Sequence, residues 1–212
     1  EPFKYETGWA GPAVPGTEMK IAEDGEVLMR GRHVFKGYFK NEAATKESID
    51  ANGWLHSGDV GIIDDRGFLK ITDRKKELII TAGGENISPQ VLEGKLKAIP
   101  VLSQAVVIGD KRKYMTALFT LDPEKVEQVA ADGAGSPAKD SAEASKCGKF
   151  NAYIQGKVDE VNKTLARVQT IKKFVILPQE LSIEGEELTP TMKLKRRIVN
   201  EKYSKEIESM YA

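Results

Sequence analysis

The sequence predicts an α+β protein in two parts, a β-rich first third over residues 1–72 and a compact α+β region over residues 77–212. In the first third, short apolar runs are separated by turn residues such as Asp-Gly. Beyond residue 88, segments with helical periodicity mix with apolar runs of strand length. A region of strands followed by a region that mixes strands and helices is typical of the α+β class.

Two hairpins and one short helix are predicted in the β-rich part. In TEMKIAEDGEVLMR (17–30), apolar and polar residues alternate on both sides of Asp24-Gly25, a dipeptide that favours a tight hairpin turn. The second hairpin, DVGIIDDRGFLKIT (59–72), turns between Asp64 and Gly67. Between the hairpins, KNEAATKESID (40–50) is interpreted as a helix.

The α+β part begins with a helix at Pro89, for which Ser88 is the predicted N-cap. Apolar positions three and four apart predict a long amphipathic helix from Phe150 to Val168. The low-apolar segment between them, 132–148, is predicted to be a flexible insert. The remaining predictions are strands at 103–110, 114–121 and 173–178, a helix behind Pro123 and a closing helix that begins near Lys195.

The composition argues against several kinds of partner. The 32 basic and 32 acidic residues give a formal net charge of zero, so nucleic acid is not expected as a partner. No apolar run reaches the roughly eighteen residues of a membrane span, which leaves only peripheral membrane contact open. The opening, EPFKYETGWAGPAVPG, is loop-like, lacks a secretory signal and starts without Met, as in a piece of a longer protein. The single Cys147 fits a reducing, cytoplasmic compartment.

Two short motifs carry candidate nucleotide-binding side chains. HSGD (56–59) ends in Asp59, whose two carboxylate oxygens can accept hydrogen bonds from the paired hydroxyls of a ribose. DRKKE (73–77) contains Arg74, whose fork of donors suits a ribose or a phosphate. Taken alone, such motifs are more often a turn aspartate and a solvated run of charges.

Two further segments can serve a reaction. AGGEN (82–86) either lets a ligand chain pass close to its backbone or forms a plain turn before the helix. LTPTMKLKRR (188–197) is predicted to be extended, with Lys193 and Lys195 on one side. An ammonium there can stabilise negative charge during acyl or phosphoryl chemistry, and a surface basic cluster is the alternative. No metal site is predicted, because His33 and His56 lack a ligand spacing.

In this order, the four segments resemble the carboxyl-terminal part of the adenylate-forming (AMP-binding) enzymes. The resemblance covers essentially the whole chain, from GPAVPGTEMKIAEDGEVLMRGRHVFKGYF through GWLHSGD and DRKKELIITAGGENISP to TPTMKLKRR. Within that superfamily, LIITAGGENISP, the insert and MKLKRR look most like long-chain acyl-CoA synthetases of the bubblegum type. The resemblance implies that residues 1–72 are a small barrel-like end of the large adenylating domain, 73–76 a hinge and 77–212 a mobile domain.

The resemblance also implies roles for individual residues. Asp59 and Arg74 match nucleotide-binding positions, Lys76 matches the hinge pivot, and Lys193 matches the lysine that acts during adenylation. The loop that borders the pantetheine tunnel is matched by Gly83, Gly84, Glu85 and Asn86. One departure is that Met192 precedes Lys193 where the family usually has glycine, which leaves open whether Lys193 or Lys195 is the reaching amine. Position 76 is lysine where many relatives have aspartate.

The implied reaction joins a fatty acid to CoA in two steps, acyl-adenylate formation from ATP and then thioester formation. ATP, CoA and Mg²⁺ belong to the complete enzyme, and no tightly bound cofactor is expected on this chain alone. We expect the chain alone to be inactive, because catalysis needs groups from both sides of the reacting atoms. An aryl or short- to medium-chain acid–CoA ligase and, in another class, a non-catalytic interaction module are the alternatives. Acyl chain length and oligomeric state stay open.

Overall fold

The computed structural model describes residues 6–212, so the first five residues of the loop-like opening lie outside the described residues. The chain falls into two units that divide after Leu78 in the sequence. It is an α+β protein, as predicted, with separate sheets and helices. No helix within 6–212 has the length and apolar character that a bilayer crossing requires.

Unit 1 is built on a five-stranded antiparallel sheet with strand order β1-β5-β4-β3-β2. Both predicted hairpins, β2–β3 and β4–β5, are confirmed, and so is the short helix α1 between them. The elements are β1 (Gly11–Pro12), β2 (Thr17–Ile21), β3 (Glu26–Gly31), α1 (Glu42–Ser48), β4 (Leu55–Ile63) and β5 (Phe68–Arg74).

Turn chemistry fixes both hairpins. Gly25 adopts φ 84°, a left-handed conformation that favours glycine, and the Asp24 carboxylate accepts a hydrogen bond from the Glu26 N–H at 3.1 Å. In the second hairpin, Asp64 Oδ1 accepts from the N–H groups of Arg66 (3.0 Å) and Phe68 (2.9 Å). The strand register of both hairpins follows from these turns.

The expected barrel-like closure of the first part is wrong. Over residues 6–78 the sheet is open, with β1 and β2 at opposite edges. Strand β1 pairs with β5 through only two residues, and one of them, Pro12, has no N–H to extend the ladder.

Unit 2 contains a three-stranded sheet, β10-β9-β8, in which β9 pairs antiparallel with β8 and parallel with β10, and a small hairpin, β6–β7. Every residue of β9 is buried, because helices cover both faces of the sheet. The predicted strands and the helices at Pro89 and Pro123 are confirmed. The elements are β6 (Ile79–Ile80), β7 (Asn86–Ile87), α2 (Pro89–Leu96), β8 (Leu102–Ile108), β9 (Met115–Leu121), α3 (Pro123–Val129), α4 (Ser141–Lys146), α5 (Gly148–Asn162), β10 (Ile171–Ile176), α6 (Arg196–Lys202) and α7 (Ser204–Ser209).

The segment 132–148, predicted to be a flexible insert, contains regular structure that its composition does not indicate. It contains α4, whose N-cap Asp140 accepts a hydrogen bond from the Glu143 N–H at 2.8 Å. Ala138 and Ala144 are buried in the same core as α5. Small side chains let this segment pack closely, and they carry too little hydrophobicity to produce a periodic signal.

The long amphipathic helix ends earlier than predicted. Its buried face, which includes Phe150 and Ile154, is as expected, but α5 stops at Asn162. The Asn162 side chain bonds both backbone groups of Ile171 at 2.9 Å, which turns the chain into β10. Val168 lies in a 3₁₀ turn and is exposed.

Candidate functional site

The β4–β5 hairpin brings the two candidate nucleotide-binding residues into contact. Asp59 and Arg74 are cross-strand partners, and Arg74 Nε lies 2.7 Å from Asp59 Oδ1. Their side chains are 27% and 60% exposed, respectively, so both can still reach a ligand. A carboxylate in this position can accept hydrogen bonds from ribose hydroxyls, and the guanidinium beside it can donate to a phosphate.

A buried acid lies behind this pair, and sequence reasoning missed it. Glu26, at the start of β3, is only 3% exposed. Its carboxylate is 2.9 Å from each of three donors: His56 Nδ1, the Gly58 N–H and Lys75 Nζ. An acid directly after a Gly-containing turn is normally exposed, so the local pattern gave no signal of this role.

The charges around Glu26 support one another. Burial favours the neutral form of Glu26, but hydrogen bonds from Lys75, His56 and Gly58 outweigh burial and lower the pKa of the carboxyl below its usual 4.5. Lys75 also lies 2.7 Å from Asp24. The carboxylates of Asp24 and Glu26 both raise the pKa of Lys75, and Asp24 has the larger effect. The His56 ring, for which the sequence predicts no metal-ligand role, is partly exposed beside Glu26.

The predicted hinge residue, Lys76, comes directly after Lys75 in the chain. Lys75, Lys76 and Glu77 form a single 3₁₀ turn after β5. Both lysines are exposed, and Lys75 is also ion-paired with the acids Asp24 and Glu26 of unit 1. The division of the chain after Leu78 lies two residues beyond the predicted 73–76 segment.

The Gly-Gly loop connects β6 and β7 in unit 2. The N–H of Gly84 donates to the Thr81 carbonyl at 2.9 Å, and Gly84 adopts φ 81°, so the turn itself requires glycine there. Gly83 differs: a Cβ at that position would meet only Thr81 Oγ1, at 3.7 Å, an ordinary contact. Gly83, Glu85 and Asn86 are exposed. Neither packing nor this backbone conformation therefore explains glycine at position 83.

Lys193 directly follows a tight turn over residues 189–192, and the next residue, Leu194, forms an antiparallel bridge with Leu188. The Met192 N–H donates to the Thr189 carbonyl, and the Thr189 N–H donates to the Lys193 carbonyl, both at 2.8 Å. Met192 adopts φ 60°, a left-handed conformation that favours glycine. Lys193 is exposed, whereas Lys195 is half-buried at the N-cap of α6.

Two charged contacts hold the residues on either side of that turn in place within unit 2. Glu187, which is 1% exposed, accepts hydrogen bonds from Lys202 and from the Tyr203 hydroxyl, and its own carbonyl accepts from the Lys195 N–H at 2.7 Å. Burial and the Glu187 charge raise the pKa of Tyr203 to about 12. On the other side, Arg196 binds Glu93 at 2.9 Å.

Comparisons with known proteins agree with these features. The family model for the AMP-binding enzyme C-terminal domain matches residues 76–212. The chain is 45% identical over 207 residues to a long-chain-fatty-acid–CoA ligase of Mycobacterium tuberculosis, with 96% of this chain and 34% of that protein covered. It is 41% identical over 223 residues to the long-chain-fatty-acid–CoA ligase ACSBG2 of Xenopus laevis, of the bubblegum type, with 95% and 30% covered. The chain thus spans about a third of the length of these relatives.

Solved structures share the fold. The adenylation domain of a carboxylate reductase from Mycobacterium chelonae superposes with a TM-score of 0.73 at 23% identity, covering 94% of this chain and 31% of that one. The o-succinylbenzoate coenzyme A synthetase of Bacillus subtilis, solved with ATP and magnesium ion, gives a TM-score of 0.62 at 30% identity, covering 91% and 35%. The chain belongs to the AMP-binding enzymes, whose C-terminal domain it contains.

Proposed function

We propose that this chain is the carboxyl-terminal part of an ATP-dependent long-chain fatty acid–CoA ligase. The observation that carries the proposal is the contact between Asp59 and Arg74, which places a carboxylate and a guanidinium together on the paired strands β4 and β5. Relatives at 41–45% identity are named long-chain-fatty-acid–CoA ligases, which favours a long acyl chain over an aryl or short acid.

The nucleotide role belongs to unit 1. The Asp59 carboxylate would accept hydrogen bonds from the two ribose hydroxyls of ATP, and Arg74 would orient that carboxylate while donating to the nucleotide. The residues suit this ligand, because both side chains are partly exposed and oppositely charged. ATP would supply the phosphoryl centre that a fatty acid carboxylate attacks.

Unit 2 would serve the two half-reactions with different groups. Lys193, whose ammonium is exposed, would stabilise the negative charge that develops during adenylation, and Lys195 is less suited because it is half-buried at a helix cap. The loop from Gly83 to Asn86 would line the path of the CoA thiol arm. Gly83 supports this role, because glycine there has no evident structural cause and leaves room for a ligand. Lys76 would be the pivot between the two steps.

The partners of the complete enzyme would be fatty acid, ATP and CoA, with Mg²⁺ as the counter-ion of the ATP phosphates. Related enzymes have been solved with ATP or AMP, and one of them with magnesium ion. We place the protein in the cytoplasm, where its substrates are available, with peripheral contact at membranes as a source of fatty acid.

The test is kinetic and uses the complete protein that carries this chain. We expect it to form acyl-CoA from palmitate, ATP and CoA. Asp59→Asn, which removes a charged hydrogen-bond acceptor, is expected to raise the KM for ATP about 10- to 100-fold, since such bonds contribute about 1.5–3 kcal/mol. The exposed Asp59–Arg74 pair contributes only about 0–1 kcal/mol to stability, so the variant should fold. Asp65→Asn, at an exposed position of the neighbouring turn, is the matched control.

Two results would contradict the proposal. One is an unchanged KM for ATP in Asp59→Asn. The other is measurable AMP formation by the isolated 212-residue chain, because one lobe alone would then suffice for the chemistry.

A further inference from the structure

A single buried carboxylate connects the chain neighbours of both proposed nucleotide-binding residues. Glu26 Oε1 accepts from the N–H of Gly58, which directly precedes Asp59. Glu26 Oε2 lies 2.9 Å from Nζ of Lys75, which directly follows Arg74. The chain neighbours of both members of the Asp59–Arg74 pair, Gly58 and Lys75, are therefore bonded to one side chain.

Glu26 also lies beneath an irregularity in β4. On β3, Glu26 pairs with Val60 and Leu28 pairs with His56, so four residues of β4 span the space of two on β3. The residues that bulge out lie between His56 and Val60 and include Asp59. The bulge closes on Glu26 through the Gly58 N–H and His56 Nδ1. Bulges of this kind re-aim a side chain and are common next to active sites.

Sheet stability alone does not explain an acid at this position. Burying a carboxylate carries a desolvation cost that ion pairs only partly offset, and an apolar residue of similar size often stabilises a fold as well or better. At 3% exposure Glu26 carries this cost, while neighbouring Val27 and Leu28 are apolar and buried as a sheet interior requires. The carboxylate is suited to holding backbone and ammonium donors in fixed places.

We propose that Glu26 is a positioning residue for the nucleotide: it fixes the bulge that presents Asp59 and the strand end that presents Arg74. The proposal rests on the proposed function, because it assigns Glu26 to the same nucleotide site. Glu26 does not touch the ligand, and its effect passes through Gly58 and Lys75.

The experiment compares Glu26→Gln and Glu26→Ala in the complete protein. Glutamine keeps an acceptor for the Gly58 N–H but loses the charge, whereas alanine loses both. Glu26→Gln is expected to raise the KM for ATP about tenfold, since small misplacements of binding groups have effects of this size or larger. Glu26→Ala should raise it further, and the KM for palmitate should stay unchanged in both. The matched control is Glu18→Gln, which breaks an exposed 2.6 Å ion pair with Arg30 in the same sheet.

A double variant separates positioning from a general loss of stability. In the Asp59→Asn background, Glu26→Gln should raise the KM for ATP by less than it does in the wild-type background, because the side chain it positions has already been changed. If Glu26→Gln fails to fold, Lys75→Gln replaces it, since Lys75 is 41% exposed and its loss breaks the same link to β5.

Three outcomes would overturn the inference. An unchanged KM for ATP in Glu26→Gln, together with a raised KM in Asp59→Asn, refutes the positioning role alone. A lower kcat with every KM unchanged assigns Glu26 to folding only. An unchanged KM for ATP in Asp59→Asn refutes the proposed function and the positioning role with it.

Discussion

Met192 is a residue whose backbone is strained. Its φ of 60° costs a non-glycine residue roughly 1–2 kcal/mol, and its side chain is 60% exposed, so little packing offsets the strain. Met192→Gly should therefore leave the free energy of unfolding unchanged or raise it by up to about 1 kcal/mol. Met192→Val should lower it by about 1 kcal/mol or more, because a β-branched residue is an outlier in this conformation. Urea unfolding measures both, and equal values for Gly and Val would contradict the strained turn.

The titration of Tyr203 gives a stability test at alkaline pH. Its folded-state pKa, about 12, lies above the usual value of 10.0 because burial and the Glu187 charge oppose ionisation. The stability that this difference contributes is present below pH 10 and is lost as the pH rises through about 12. The unfolding free energy of Tyr203→Phe should thus fall between these pH values by on the order of 2 kcal/mol less than that of the wild type. An identical decline in wild type and variant would show that Tyr203 ionises as freely when folded as when unfolded.

At the scale of elements, α4 is where composition was misleading. The segment 132–148 is rich in Gly, Ala and Ser, yet Ala144 is fully buried against the core. One signal was available: Asp140 followed three residues later by Glu143 is the spacing of a helix start. Strands and the helices at Pro89 and Pro123 were predictable, because alternation, proline and capping residues all act locally.

Ala144→Leu tests whether this helix is part of the core. Extra methyl groups in a packed interior cost typically about 1–3 kcal/mol, so we expect unit 2 to lose that much stability. Ala142→Leu, on the exposed side of α4, should change stability by less than about 0.5 kcal/mol. Thermal or urea unfolding of both variants gives the comparison. If Ala144→Leu is as harmless as Ala142→Leu, the segment is a loose insert after all.

At the scale of the whole molecule, the α+β class and the order of elements followed from the sequence, but the shape of unit 1 did not. The sheet stays open because its edge strand β1 has only two residues and ends in proline. The periodicity of the sequence does not predict where such an edge strand ends. The candidate site was also only partly predictable from the sequence. Asp59 and Arg74 stand in recognisable motifs, whereas Glu26 gains its role only when the strands assemble and bury it between two distant segments.

The central claim is that two segments of unit 2 serve two different half-reactions. The direct measurement is single-turnover kinetics of the complete protein, with acyl-adenylate formation and its conversion by CoA followed separately. Lys193→Ala should slow adenylate formation about 10²- to 10³-fold and leave thioester formation from supplied acyl-adenylate nearly unchanged, since it removes charge stabilisation from the first step only. Gly83→Ala, which the fold accommodates, should slow only the CoA step. The division of labour is contradicted if both variants slow the same half-reaction, or if neither variant slows either half-reaction.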